Sequence, residues 1–121
     1  QNTRAVHSSA LDSTVNTISA ARQSIYENDD VARTYLKGLD TPEALDELER
    51  LKFRLLLHNL MLSESNIFAQ TKFTDLPIPE WEAQTAVIRR VLSSPGGAWF
   101  WAEYGNEFDA DFKAEVDRIV K

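Results

Sequence analysis

The chain has 121 residues, of which 43% are apolar and 26% charged, a composition typical of one globular domain with its own core. Its net charge of −6 disfavours nucleic acid as a partner, because phosphate binding requires a basic surface. The absence of cysteine excludes disulfides, thiolate metal sites and cysteine nucleophiles. No stretch of the sequence has the roughly 20 consecutive apolar residues that cross a bilayer.

The first segment, residues 2–26, is predicted to form a long, narrow amphipathic helix. Its apolar residues recur at intervals of four, three and seven positions, and Arg22 fills the missing heptad position. These residues are Leu11, Val15, Ile18 and Ile25. The rest is mainly Ser, Thr, Asn and Ala, so the helix depends on packing against its own domain or a second copy. We expect a protein partner or self-association through this helix.

The strongest helical signal lies at about residues 42–72. Thr41 is the predicted N-cap and Pro42 the first helical residue. One apolar seam consists of Leu48, Leu51, Leu55 and Leu62, and further apolar residues are Phe53, Leu56, Leu57, Leu60 and Met61. A helix that is apolar nearly all round is central and buried, so Leu55→Ala or Leu62→Ala is expected to cost about 2–5 kcal/mol.

Shorter helices are predicted on both sides of this central helix. Their expected caps and stops are Asp29 or Asp30, Gly38, Pro79, Ser94, Gly105 and Asp109. Together the patterns predict an all-α fold, a five- to six-helix bundle around the central helix at about 42–72. The predicted domain covers residues 1–121, with a juxtamembrane-like helix at 1–27 and a helical core at 28–121.

The most unusual stretch is "SSPGGAWFWAEYGNEF", residues 93–108. Ser94 and the following proline begin a short helix, in which the glycines let a neighbouring helix come close. We expect Trp101 to lie in the core with its indole N–H hydrogen-bonded, and Trp99 or Phe100 to be the more exposed ring. A small apolar pocket and an exposed contact surface are the two other interpretations of these rings.

Few residues in the chain suggest catalysis. His58 and Glu64 are six positions apart on one helix and point in different directions, so His58 is expected to be a core or boundary histidine. No motif for a metal, phosphate or cofactor site is present, and we predict no cofactor and no enzymatic activity. The candidate ligand or interaction residues are His58, Glu64, Trp81, Trp99, Trp101 and Tyr104.

Acidic residues are concentrated near the end of the chain. They are Glu103, Glu107, Asp109, Asp111, Glu115 and Asp117, and only Lys113 and Arg118 lie among them. We interpret this region as a solvated acidic surface, with a docking patch for a basic partner as the alternative.

Several short motifs and single residues of the chain together carry a resemblance to known proteins. They are Gln1-Asn2-Thr3-Arg4-Ala5, Gly38-Leu39, Glu64-Ser65-Asn66, Trp81, Ser94-Pro95-Gly96, Trp101, Phe108, Phe112 and Val116-Asp117. In these the chain resembles a group of small, functionally uncharacterised bacterial membrane-anchored helical proteins. In that group a single hydrophobic helix runs into a "Gln-Asn-Thr-Arg-Ala"-like segment, and a helical domain follows. The residues Gly97-Ala98 and Trp99-Phe100 depart from the pattern, which has bulkier and more charged residues before Trp101.

The resemblance implies a membrane anchor through a segment preceding Gln1. With Arg4 at this end, the positive-inside tendency puts the domain on the cytoplasmic side. The predicted function is a non-enzymatic protein-interaction or regulatory module, membrane-tethered in the full-length protein. The alternatives are a sensor of small apolar ligands, with a pocket near His58, Trp81 and Trp101, and an enzyme that uses His58 and Glu64.

Overall fold

Helices make up nearly all of the structure, a computed structural model that describes residues 23, 25, 27–73 and 78–121. These residues form five α-helices and no strand, which confirms the predicted all-α class. The helices are α1 (Asp29–Asp40), α2 (Glu47–Phe73), α3 (Ile78–Leu92), α4 (Pro95–Tyr104) and α5 (Ala110–Val120), with 3₁₀ turns at Pro42–Ala44 and Gly105–Glu107. The predicted N-terminal helix at 2–26 lies outside the described residues, apart from Gln23 and Ile25.

Helix α1 begins and ends differently from the prediction. Its N-cap is Asn28, whose side chain accepts hydrogen bonds from the backbone N–H groups of Asp30 and Val31, so neither Asp29 nor Asp30 is the cap. Gly38 does not stop the helix but lies buried inside it. A methyl group at Gly38 would overlap with the ring of Phe53, so the glycine is explained by this packing and not by helix termination.

Helix α2 begins later than its sequence predicts. Pro42 starts a separate 3₁₀ turn, and Thr41 makes no side-chain capping bond to that turn. The start of α2 is a reciprocal capping box: the Glu49 backbone N–H donates to Asp46 (2.8 Å), and the Asp46 backbone N–H donates to Glu49 (3.0 Å). Two residues five positions apart, Thr41 and Asp46, are possible caps in the sequence. The sequence prediction chose Thr41, whereas Asp46 caps α2.

The later helix boundaries agree with the sequence prediction. Ser94 caps α4 by accepting a hydrogen bond from the Gly97 backbone N–H at 3.0 Å. Asp109 caps α5 by accepting from the backbone N–H groups of Asp111 and Phe112. Both caps are short-range bonds between neighbours in the chain, so they could be predicted without the tertiary structure.

Helices α1 and α4 meet at a pair of glycines. A methyl group at Gly96 would overlap with the carbonyl oxygen of Gly38, a backbone atom that cannot turn aside. The prediction that a glycine at the start of α4 lets another helix approach is confirmed, and that helix is α1.

Helix α2 contacts each of the other four described helices. Its buried side chains lie on one face and include Phe53, Leu57, Met61 and Glu64. Around them the core is completed by Leu45, Leu60, Ile67, Trp81, Ile88, Val91, Leu92, Phe100, Trp101, Phe108, Phe112, Val116 and Ile119.

The predicted leucine seam is not part of this core. The side chains of Leu48, Leu51, Leu55 and Leu62 are exposed, so the expectation that Leu55→Ala or Leu62→Ala removes core packing is wrong. The seam points away from the core because it lies on the opposite side of the helix from Phe53 and Leu57.

Acidic residues of α5 tie this helix to three others. The pairs are Lys72 with Asp111 (2.7 Å), Trp81 with Glu115 (3.3 Å) and Trp101 with Asp117 (2.8 Å). The interpretation as a solvated surface holds for Asp111, whose side chain is 73% exposed, but it is incomplete for this group because each carboxylate is also bonded to a side chain of α2, α3 or α4.

Candidate functional site

The most prominent surface feature is a row of leucines on α2, which we call the leucine face. Leu48, Leu51, Leu55 and Leu62 are 60%, 46%, 46% and 47% exposed. Their spacing of three, four and seven positions places them in one narrow stripe along the helix, because each residue turns the helix by about 100°. From Leu48 to Leu62 the stripe spans 14 positions, about 21 Å of helix. Exposed apolar residues in such a continuous row are typical of a contact surface.

A groove follows the first half of the leucine face. It has a volume of about 690 Å³ and is lined by Asp46, Glu47, Leu48, Arg50, Leu51, Arg54 and Tyr104. The Arg54 guanidinium carbon lies 4.5 Å from the centre of the Tyr104 ring, a cation–π contact that holds the arginine beside the groove. Arg50 donates to the carbonyl oxygen of Leu45 at 3.4 Å. The groove therefore combines an apolar strip with two positioned guanidinium groups.

A second groove, of about 390 Å³, lies between the start of α1 and the middle of α2. Its lining residues are Asn28, Asp30, Val31, Thr34, Lys52, Leu55, Leu56 and Asn59. Leu55 belongs to the leucine face, so this groove opens on its second half. Lys52 adds a basic group on this side.

His58 lies at the boundary between the core and the solvent, one of the two positions that the sequence predicts for it. Its side chain is 31% exposed, and its Nδ1 atom lies 4.0 Å from a carboxylate oxygen of Glu107. The imidazole centre is 5.0 Å from that of the Phe108 ring. A histidine with an aromatic ring below it and an exposed carboxylate beside it is placed at the edge of the domain.

Glu64 is fully buried, with 0% exposure. With the Gln84 amide oriented to give both groups partners, its nitrogen donates to the two carboxylate oxygens of Glu64 at 2.8 and 3.1 Å. Glu64 thus makes a hydrogen bond between α2 and α3. Since His58 faces Glu107 and Glu64 faces Gln84, the structure does not bring these two candidates together.

Trp81 and Trp101 lie in the core and not on a groove described above. Trp101 is 8% exposed, and its ring centre lies 5.5 Å from that of Phe108 and 6.3 Å from that of Phe112. Trp81 packs against Phe68 with ring centres 5.3 Å apart. The prediction that Trp101 is a core residue with a bonded indole N–H is confirmed, but its bond goes to Asp117 on α5.

Trp99 and Tyr104, like His58, are candidates that reach the surface. Trp99 is partly buried, whereas Phe100 is fully buried, so Trp99 is the more exposed neighbour of Trp101. Its ring stacks on Phe53 at 6.2 Å and lines a groove of about 320 Å³ with Pro42, Glu43 and Arg50. Tyr104 lines the first groove of the leucine face through its contact with Arg54.

Two α5 carboxylates are stabilised in their charged form. The Lys113 ammonium at 2.7 Å, and then the Trp101 N–H, lower the pKa of Asp117. The Arg118 guanidinium lowers the pKa of Glu115, and the Trp81 N–H adds to this against the opposing effect of burial. Each of these carboxylates accepts a tryptophan N–H, so protonation weakens contacts that hold helices together.

Stability is therefore expected to fall in acid. A carboxyl whose folded-state pKa is lowered stabilises the fold above its unfolded pKa of about 4, and this contribution disappears as the pH falls through the folded value. The difference in unfolding free energy between the parent and Asp117→Asn should be largest at neutral pH and shrink below about pH 4. Urea denaturation at a series of pH values measures it. A difference that stays constant down to pH 3 would contradict this linkage.

Among the residues that the structure describes, no group of three or more His, Cys, Asp or Glu side chains could hold a metal ion. No helix there is long and apolar enough to cross a membrane. Comparison of the chain with protein-family models, curated proteins and solved structures found no match.

The sequence contained the leucine face, but the prediction placed it in the core. The relevant signal is that α2 carries two apolar rows at helical spacing on opposite sides, one through Phe53 and Leu57 and one through Leu51 and Leu55. The other described helices cover the row through Phe53 and Leu57, and the row through Leu51 and Leu55 is exposed.

Proposed function

We propose that the chain is a non-enzymatic protein-interaction module whose leucine face binds an amphipathic helix of a partner. The observation that carries this proposal is the exposed heptad-spaced row from Leu48 to Leu62. Helices dock on such surfaces by laying apolar residues at three- and four-residue spacing along the groove. A regulatory role follows from such binding without any catalytic group.

The charges beside the leucine face describe the partner more closely. Arg50 and Arg54 line one groove, and Lys52 lines the other. These three basic groups lie beside the middle of the leucine face on α2, whereas the acidic lining residue of the second groove, Asp30, lies on α1, so a partner helix with acidic residues beside the middle of its apolar row would be favoured. Asp46 and Glu47 at the start of α2 would favour a basic residue at one end of that helix and thereby set its orientation.

Two further elements complete the proposal. The described helices form a bundle with α2 at its centre, which is supported by the contacts of α2 with the other four.

The domain is tethered on the cytoplasmic side of a membrane by a segment preceding Gln1, supported by the sequence resemblance and by Arg4. Fractionation of cells that produce the full-length protein tests the tether, and recovery in the soluble fraction would contradict it.

The binding test uses three synthetic helical peptides of three heptads each. One has leucine at the a and d positions with flanking glutamates, the second has the same residues in shuffled order, and the third has lysine in place of glutamate. By fluorescence anisotropy, the acidic peptide should bind at least about tenfold more tightly than either of the others.

Matched variants locate the binding surface. Leu51→Glu should weaken binding of the acidic peptide by about tenfold or more, because it places a negative charge within the leucine face, beside its first groove. Ala86→Glu adds the same charge at an exposed position of α3 and should leave binding unchanged. Equal binding of the ordered and shuffled peptides would contradict the proposed function, and equal affinities of the parent and Leu51→Glu would exclude the leucine face as the site.

A further inference from the structure

We infer that the leucine face is also the contact surface between two copies of this chain, whose α2 helices would lie side by side, parallel and in register. The inference rests on the proposed function in one respect: the leucine face must be a surface that binds helices. Two features of the described residues support it, the spacing of the leucines and the charges on the two edges of the row.

The leucine face has the spacing of one strand of a two-stranded helix pair. Its leucines fill four of the five seam positions between residues 48 and 62, at alternating intervals of three and four. The fifth seam position is His58, whose side chain is 31% exposed. A single polar residue in an apolar seam lowers stability but favours one register. In register, each exposed leucine meets the same leucine of the other copy along the whole row.

The two edges of the leucine face carry different charged residues. Glu47 and Arg54 lie on one edge and line the first groove. Lys52 and Asn59 lie on the other edge and line the second groove, together with Asp30 of α1. Within each edge the two α2 residues are seven positions apart, so they lie almost directly above one another on the helix. Glu47 and Lys52 are both exposed and therefore accessible to a second copy.

In a parallel, in-register pair these edges are complementary. Opposite edges of the two helices then face each other, and a residue on the first edge lies opposite the residue five positions later on the second. Glu47 of each copy therefore lies opposite Lys52 of the other, and twofold symmetry forms this charge pair twice. Arg54 of each copy lies opposite Asn59, beside the groove that Asp30 lines. The leucines and the charges are thus matched by one arrangement.

An antiparallel pair matches either the leucines or the charges, but not both. With Leu51 of one copy against Leu55 of the other, identical edges face each other and Arg54 meets Arg54 of the second copy. A shift by one heptad sets Glu47 opposite Arg54, but it leaves Leu62 beyond the start of the other α2. The opposite shift leaves Glu47 and Arg54 facing uncharged residues. The charges therefore favour the parallel pair.

The experiment exchanges charges between the two edges in the full chain. Glu47→Lys sets a lysine opposite Lys52, and Lys52→Glu sets a glutamate opposite Glu47. Each variant alone should therefore self-associate about tenfold more weakly than the parent. In an equimolar mixture opposite charges face each other again, so the two variants should pair with each other about as tightly as the parent. Sedimentation equilibrium at low salt, where charge pairs are least screened, measures the dissociation constants.

A control mixture tests the orientation. Glu47→Lys mixed with Arg54→Glu restores both charge pairs only in the shifted antiparallel arrangement, so in the parallel pair it should associate more weakly than the first mixture. Circular dichroism checks that each variant keeps the helical content of the parent. A single chain that carries both Glu47→Lys and Lys52→Glu should self-associate like the parent, which repeats the test without a mixture.

Each other outcome overturns the inference. A parent chain that remains monomeric up to about 1 mM would show that two copies do not pair. Equal self-association of the parent and Leu51→Glu would place the contact on another surface. A first mixture that pairs no more tightly than its components would show that Glu47 and Lys52 do not meet. Stronger pairing in the control mixture would show an antiparallel arrangement.

The acidic peptide described above separates this inference from the proposed function. It binds the same face, so a saturating amount should dissociate the parent dimer, and a dimer that persists with the peptide bound would contradict the inference. A monomeric parent that prefers the ordered peptide to the shuffled one would contradict the inference and leave the proposed function standing. Restored pairing in the first mixture, with equal binding of the ordered and shuffled peptides, would instead contradict the proposed function.

Discussion

Replacing Trp101 with alanine is expected to lower the free energy of unfolding by about 3–5 kcal/mol, the range for removing a large buried ring. The side chain is 8% exposed and packs against Phe108 and Phe112. Its Nε1–H donates to Asp117 at 2.8 Å, so the substitution also removes a link between α4 and α5. Urea denaturation followed by circular dichroism measures the change.

Two control variants separate the contributions to this effect. Trp101→Phe keeps an aromatic ring but removes the indole N–H, and the lost hydrogen bond should account for about 1 kcal/mol. Trp99→Ala removes a partly exposed ring from the same helix and should cost less than Trp101→Ala. A Trp101→Ala chain that unfolds at the same urea concentration as the parent would show that Trp101 does not support the core.

The aromatic stretch at 93–108 is thus mainly a core and not a box for a ligand. Phe100 and Trp101 are buried, and Trp99 stacks on Phe53 of α2 while remaining partly exposed. The sequence predicted this division because consecutive residues of a helix point about 100° apart, so three adjacent rings cannot all face one core. It could not predict that the partner of the Trp101 indole is Asp117, since the two residues meet only once α4 and α5 have packed.

The helix boundaries also show that features set by neighbouring residues could be predicted from the sequence, whereas features set by packing between helices could not. Ser94 and Asp109 were predicted as caps because a cap bonds to backbone groups two or three residues away. Gly38 was predicted as a helix stop, but the structure places it inside α1, against Phe53 and Gly96. A glycine that ends a helix and a glycine that admits another element are identical in sequence, and only the tertiary contacts distinguish them.

The leucine face was also predicted from its spacing and misplaced for lack of tertiary information. Periodicity identifies which residues share a side of a helix, but not whether that side meets the domain, a partner or solvent. In α2 the row through Phe53 and Leu57 meets the domain, and the row through Leu51 and Leu55 is exposed. The opposite case is Asp117 of α5. The sequence predicts a solvated carboxylate, but in the structure it accepts a hydrogen bond from Trp101.

Two leucines of α2 that are two positions apart are therefore expected to respond very differently to the same substitution. Leu57 is fully buried in the core, so Leu57→Ala should lower the free energy of unfolding by about 2–5 kcal/mol through lost burial and the cavity that remains. Leu55 keeps 46% of its surface exposed, so Leu55→Ala should cost less than about 1 kcal/mol. The chemical change and the helix are the same, so helix propensity cancels in this comparison.

Urea midpoints of the two variants measure the difference in stability. The acidic peptide supplies a second measurement, since Leu55→Ala should weaken its binding. Equal losses of stability would place both leucines in one core and would contradict the assignment of Leu55 to a surface that binds a helix.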